Sequence, residues 1–579
     1  MATDLVYEVD LNNRQDDNFH VNLFVNNLKA ENAIFQFASS APGTYRTMDI
    51  GRFVKGFNAF DREGKEIPTE QISTNQWQIS NPEKVVLIQY CVAETWDTPV
   101  DSNSVYVMCG TSMENDHTLI NGQAVFGYPT GMQKRPLKIK LLYPKEWLVG
   151  TALSQDKNGF YFANDYDHIV DSPILLGRLT SASLDVQGTK VEVYTYSGND
   201  VIKADEILNS VEDILNASAE FIEEMPVERY TFLFHFENKS QFGAGAWEHN
   251  YSSIYAFPEA PIETMLKQGL PGTMAHEFFH IITPLQIHSE LVEHFDFVKP
   301  QPSAHLWLYE STTEWAAKIM QLRGGLVDLD KYLSWMKRKL IINDHFNPSY
   351  SLLELSKNSF SVAGQKEYGN VYHGGAMIAG LLDIRLLELS GGKRGLREVI
   401  NELAKTYGPE KSFDEKTFFQ TFTKKTYPEI EQFFDLYIKK ANPMPLAEYF
   451  SKLGISYKES YKSGKIDTTS GLGITYKNEA LVLEKLDSVV LDLGLQNGDK
   501  LLKFNGEEIN IGNIRSVFGT MNKLGAGESF GLTVSRNDKE LDFTITKFTR
   551  EKIEKHSFEL MEDASEEQIA LRKAWMKNL

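Results

Sequence analysis

His276-Glu277-Phe278-Phe279-His280 carries the residue types and spacing that most plainly imply chemistry. On a helix, two histidines four apart project from one face, so both imidazoles can reach one metal ion. The glutamate beside the first can reach a water on that metal. This is the minimal apparatus of a zinc hydrolase. Such a site needs a third protein ligand and an open position. One class places a third histidine six residues after the second, following a glycine; here Gln286 and Thr283 stand at those positions, so that class is rejected. The other class takes a glutamate from a following helix. Trp307-Leu308-Tyr309-Glu310 opens such a helix, and Glu310 and Glu314 lie one turn apart on one face. One of them can ligate while the other orients an imidazole. His288, His294 and His305, between the two helices, read as core or surface histidines.

The elements that must position these residues follow from the pattern. Residues 1 to about 165 are short alternating or apolar runs broken by turn residues, which reads as β. No titratable cluster stands out there, so a structural or substrate-shaping role is expected. Ile207, Val211, Ile214, Leu215 and Phe221 recur at helical spacing, and strand-like runs follow at 229–236 and 252–257. The histidine helix is expected to end near Thr283-Pro284. Strands before and helices after the motif suit an α+β catalytic domain. Residues from about 326 to 455 are mostly helical. From about 458 the chain becomes β again, and its last thirty or so residues are charged and helix-prone.

The 579 residues exceed one core and predict several domains. A formal charge of -20 argues against nucleic acid or anionic membrane as the main partner. No apolar run is long enough to span a bilayer. The first ten residues lack a basic end followed by an apolar core, so a cytoplasmic protein is expected, or a periplasmic or exported one whose signal was removed. Cys91 and Cys109, the only cysteines, form no metal-type pair; free thiols are expected, with one disulfide as the alternative.

The chain resembles the glycyl aminopeptidase family of PDZ-containing zinc metallopeptidases. The likeness rests on Pro42-Gly43-Thr44-Tyr45, on His276 to His280 followed by Leu306 to Trp315, and on two further stretches. It implies a thermolysin-like catalytic domain, one Zn2+ per chain, and Glu310 rather than Glu314 as third ligand beside His276 and His280, with Glu277 as general base. Ser311 replaces the family's usual glycine and Trp315 its usual tyrosine. Gly245-Ala246-Trp247-Glu248-His249 is similar to a stretch whose glutamate binds the substrate's free α-amine, which points to Glu248, with Gly245 and Ala246 beside it. Val371-Tyr372-His373-Gly374-Gly375-Ala376 is similar to a stretch whose tyrosine stabilises the tetrahedral intermediate, which points to Tyr372; the usual lysine is replaced by Gly374. Gly471-Leu472-Gly473-Ile474, followed by a second Gly-rich stretch, looks like the carboxylate-binding loop of a PDZ domain, which implies a C-terminal peptide as partner.

The resulting expectation is a multidomain α+β chain: an N-terminal β domain (1–165), a thermolysin-like zinc peptidase domain (166–325) with a helical extension (326–455), a C-terminal PDZ domain (456–548) and a charged helical tail (549–579). The activity implied is removal of small N-terminal residues, glycine or alanine, from peptides with a free N-terminus. The alternatives are a zinc endopeptidase whose PDZ domain recruits proteins, and a non-catalytic peptide-binding scaffold.

Overall fold

The computed structural model describes residues 5–238, 243–409, 411–477, 480–510 and 513–577. It divides into two units, Met1–Ser456 with Leu560–Leu579, and Tyr457–Glu559. In the first, the N-terminal alternation builds an eight-stranded sheet. Leu5–Asp10 pairs in parallel with Leu137–Leu142 and antiparallel with Asn18–Val25. Leu5, Tyr7 and Val9 are buried and their neighbours only half so, the period of two that a sheet with one covered face requires. Two four-stranded sheets complete this region, and its core takes in Leu179 and runs on to Tyr196, Leu233 and Ile254 of the next sheet. The β domain thus runs past position 165, because Ile174–Gly177 pairs with His117–Ile120 and Leu148–Thr151.

A five-stranded sheet follows, in the order Thr180–Val186, Thr189–Ser197, Arg229–Phe236, Ser252–Phe257, Gly245–Glu248. The second and third strands are parallel, which demands a crossover, and the helix Ala204–Ile222 supplies it. Gly245–Glu248 runs antiparallel at the sheet edge. The helices Leu270–Phe279, Thr312–Arg323, Leu329–Asn343 and Gly374–Leu389 follow and pack on one another, the first also against Gly245–Glu248. The first stops before Thr283. Pro284 has no N–H for the His280 carbonyl and disfavours helical backbone at Thr283, so the regular ladder fails at His280. Trp307–Ser311 is one π-helical turn rather than regular α-helix, a form that recurs at functional sites.

The C-terminal stretch departs from the expected helical tail. Phe548–Leu560 is a strand that pairs with Ile455–Thr469. Both runs are charged, and Lys458–Glu559, Lys462–Glu551 and Lys465–Glu554 face each other across the ribbon at 3.2–3.6 Å. Cross-strand charge complementarity, absent from a reading of one segment at a time, selects the strand. Only Glu566–Trp575 is helical, and it is not a solvated appendage: Trp575 is buried between Tyr332 and Phe450, and its carbonyl accepts from Arg323 Nε.

Residues 457–559 have their own core of Leu483, Val490, Leu501, Phe530, Val534 and Ile545 with their neighbours. Short strands and the helix Ile514–Lys523 surround it, with Ile474–Lys477 as an edge strand. No helix among the described residues is long and apolar enough to cross a membrane.

Candidate metal centre and peptide cleft

The histidine helix, the π turn and the segment around Tyr372 converge on one buried point. His276 Nε2 lies 3.2 Å from His280 Nε2 and 3.4 Å from Glu310 Oε2, and His280 Nε2 lies 3.7 Å from the same oxygen. Zinc bonds of about 2.0–2.2 Å set tetrahedral ligand atoms about 3.3 Å apart, so the three donors fit such an ion. Two observations support the fit. Glu310 Oε2 is buried and accepts no hydrogen bond. Both imidazoles are also turned correctly: His276 Nδ1 faces Glu314 Oε2 at 3.0 Å and His280 Nδ1 faces the Thr283 carbonyl at 2.7 Å. A proton on each Nδ1 satisfies those acceptors and leaves each Nε2 lone pair for a metal.

The electrostatics also favour a cation. Burial depresses the His276 imidazole, but Glu310, Glu314 and Glu277 outweigh it and carry it up to about 10. Burial takes His280 down to about 4. The Glu277 carboxyl is raised by burial to about 7, against the pull of His276. Glu248 is pushed well up by burial and then by Glu310 and Glu277. Carboxylates crowded around two imidazoles thus compete for the little positive charge present.

The sequence-derived residues gather here. Glu248, on the edge strand, brings a carboxylate oxygen within 4.8 Å of ligand atoms of Glu277 and His280. Gly43 approaches it so closely that a Cβ would sit 2.3 Å from Glu248 Oε1, and its φ of +79° lies in the region that favours glycine. Trp247 Nε1 donates to the Pro42 carbonyl, so the Pro42-Gly43 turn closes over this strand. Ala246 lines the same cavity as Glu248 and Tyr372; Gly245 packs beside Met108, where a Cβ would meet Sδ at 2.6 Å. The Tyr372 ring lies 5.6 Å from that of His276. Ser311 has a use here: its hydroxyl donates to the Val371 carbonyl and fills the space that Gly375 leaves. Trp315 is buried against Phe221. Gly374 has no room for a lysine, since even a Cβ would meet Asn343 Oδ1 at 2.3 Å.

Sequence reading missed Lys339. Its Nζ reaches Glu314 Oε1 at 2.5 Å and the Tyr372 carbonyl at 2.7 Å, which joins the acid behind His276 to the tyrosine segment. The available signal was a lysine on the apolar face of a helix, among Tyr332, Met336 and Leu340, all buried. His288 and His305 are buried and bonded to the carbonyls of Pro284 and Glu415, away from the three donors. Cys91 and Cys109 are free thiols; Cys109 lies in the cavity wall. In the second unit, Gly471 has φ +73°, and the Gly471 and Gly473 carbonyls accept from Asp487 and Glu484. A Cβ on Gly473 would collide with the Glu484 carbonyl at 1.9 Å, so the loop is closely packed, with Leu472 and Ile474 turned toward that unit's core.

A β domain followed by a mixed sheet and a His-Glu-x-x-His helix with a downstream glutamate define a metallopeptidase of the gluzincin type. Residues 6–178 match the family model described as Peptidase M61 N-terminal domain, and residues 270–378 that of M61 glycyl aminopeptidase. Over these two stretches the chain matches the M61 metallopeptidases. Its fold is similar to that of an aminopeptidase N family protein from Idiomarina loihiensis, with TM-score 0.76 and 19% identity over 99% of this chain and 100% of that one. A two-domain M1 zinc metallopeptidase bound to L-tryptophan is a looser likeness, with TM-score 0.47 and 11% identity over 76% of this chain and 95% of that one. No curated protein matches the chain in sequence.

Proposed function

We propose that this metallopeptidase is a zinc-dependent aminopeptidase that releases small N-terminal residues from peptides. The observation that carries this reading is the position of Glu248, a half-buried carboxylate on an edge strand beside His280 and Glu277. A substrate ammonium paired there places the first peptide bond, and no later one, over the three donors. The cavity these residues share has a volume of about 120 Å³ and is walled by Tyr106, Met108, Trp247 and Tyr368, which suits glycine or alanine better than a long side chain. On the far side of His276 and Glu277 a wider cleft of about 670 Å³ opens past Lys318, Trp335 and Arg338, an exit for the rest of the peptide.

His276, His280 and Glu310 would hold the ion. When bound there, zinc would polarise the scissile carbonyl and bring the pKa of a water down to about 7. Glu277 accepts that water's proton at its carboxylate and returns it to the leaving amine. The Tyr372 hydroxyl donates toward the oxygen on which charge develops. Glu248 keeps the amino end fixed throughout.

A panel of glycyl and alanyl anilides, free and N-blocked, with and without a chelator, tests this reading. Turnover confined to the free amines and abolished by the chelator is expected. Equal turnover of blocked and free substrates would reject the anchor. Internal cleavage of a protein fragment would favour the endopeptidase alternative, for which the separate C-terminal unit with its Gly-rich loop is the motivating feature. In both readings Gly471-Leu472-Gly473-Ile474 is the proposed carboxylate loop of a PDZ domain, beside the edge strand Ile474–Lys477.

A further inference from the structure

A second pair of facing histidines lies where the N-terminal β domain meets the catalytic sheet. His117 begins the strand His117–Ile120; His235 is next to the end of Arg229–Phe236, and Glu237 follows it. The two Nε2 atoms are 2.9 Å apart, and each histidine is 1% exposed. Glu237 Oε2 lies 4.0 Å from His235 Nε2, and one atom from each of the three residues falls within 4.8 Å of the others.

The surroundings repeat the plan of the first site. Asp116 Oδ1 faces His117 Nδ1 at 3.0 Å, as Glu314 faces His276. Asp116 is itself held by Arg178 Nε at 3.2 Å and the Tyr196 hydroxyl at 3.3 Å. With its Nδ1 proton given to Asp116, His117 presents an Nε2 lone pair toward His235. Aromatic rings close the pocket: Tyr196 stacks on His117 at 3.7 Å and Trp96 stands edge-on to His235 at 4.6 Å. Ser112 Oγ, 3.4 Å from His117 Nε2, adds an oxygen on the same side. Gly177 makes the approach possible, since a Cβ there would meet His117 Cα at 2.6 Å.

Two buried imidazoles, that of His117 oriented from behind by Asp116, and a half-buried carboxylate form a donor set of borderline softness that suits Zn2+. We infer that His117, His235 and Glu237 form a second divalent-cation site, which fastens the N-terminal β domain to the catalytic sheet. Its role is structural: the ion would join strands more than a hundred residues apart in sequence, and its binding energy would become folding energy.

Elemental analysis of protein stripped with a chelator and then dialysed against Zn2+ decides the matter without reference to activity. The expected counts are two ions in the wild type, one in Glu310→Gln, one in Glu237→Ala and none in the double variant. Zn2+ should also raise the melting temperature of Glu310→Gln by several degrees and leave that of the double variant unmoved. One ion in the wild type with none in Glu310→Gln, or two ions in Glu237→Ala, would overturn the assignment. In that case the histidines merely share a proton across the interface. His235→Asn, which keeps a polar group in the pocket, serves as a second probe should Glu237→Ala lose its fold, and the same loss of one ion is expected of it.

Discussion

At the scale of single residues, the candidate centre separates groups that touch substrate from groups that hold those groups in place. On the proposed mechanism Glu277 is of the first kind. Glu277→Gln keeps the volume and removes the proton acceptor, so zinc content should stay at the wild-type value while kcat falls by about 10²–10⁴-fold. Loss of metal in that variant would show the residue to be structural. Lys339 is of the second kind. It helps neutralise Glu314 and steadies the Tyr372 carbonyl, so Lys339→Met leaves the acid behind His276 with only Lys318 Nζ, 3.7 Å from Glu314 Oε1, to balance it. Zinc affinity should weaken by roughly ten-fold and kcat fall with it, while KM for a free-amine anilide changes little; a competition titration with a chelator and a rate series measure the two separately. The difference in legibility between these residues is physical. The spacing of His276, Glu277 and His280 is set by one helical repeat and is visible in the chain. Lys339 matters because its helix packs against two others, and nothing in its neighbours along the sequence records that.

At the scale of elements, buried charges mark where segments are tied together. Glu94 follows the strand Leu87–Ala93 and accepts from the backbone N–H groups of Asp97 and Met113, so it pins a loop to another strand. Burial pushes its carboxyl up to about 8, with Asp97 and Glu114 adding to the shift and the two N–H groups opposing it. The folded state therefore keeps this proton between pH 4.5 and 8 while the unfolded chain has released it, and stability contributed here is present below pH 4.5 and lost as pH rises through 8. Glu94→Gln should gain melting temperature relative to the wild type across that window, and parallel curves would refute the assignment. Arg323 ties three elements: its guanidinium meets Asp383 at 2.8 Å and the Trp575 carbonyl, and Asp383 also accepts from Leu396 N. Arg323→Met strands a fully buried carboxylate and should cost about 3–5 kcal/mol in urea denaturation, with earlier proteolysis of Glu566–Trp575. Helical spacing foretold Ala204–Ile222 and period-two alternation foretold Leu5–Asp10, because each of those patterns is local. The strand at Phe548–Leu560 and the burial of Trp575 were not foretold, because both depend on partners some hundred or more residues away.

At the scale of the whole molecule, the chain leaves one compact unit and returns to it through a two-stranded ribbon. Ile455–Thr469 leads out and Phe548–Leu560 leads back, and between them residues 457–559 bury a core of their own. The ribbon brings the ends of the inserted segment together without help from that core: Tyr461 bonds Glu554 at 2.8 Å, Ser463 bonds the Lys552 carbonyl at 2.9 Å, and the charge pairs continue the ladder. Closing such a short gap costs little loop entropy, so the insert is removable in principle. Replacing residues 470–547 by a two-residue Asn-Gly turn, the sequence preferred for a tight hairpin, should therefore leave the catalytic unit folded. The candidate metal centre, the proposed Glu248 anchor and the Lys339 brace all lie within residues 1–456, so kcat/KM for a glycyl anilide should stay within about two-fold of the full chain, since surface changes away from a site rarely exceed 0.5 kcal/mol. Longer substrates are where the two readings of the insert part. If the Gly471–Ile474 loop takes up peptide ends, the shortened protein should lose rate on polypeptides while keeping it on anilides, and peptides with an amidated C-terminus should already be slow substrates of the full chain. Equal loss on anilides and polypeptides would instead make the insert part of the folding unit that holds the three metal donors together.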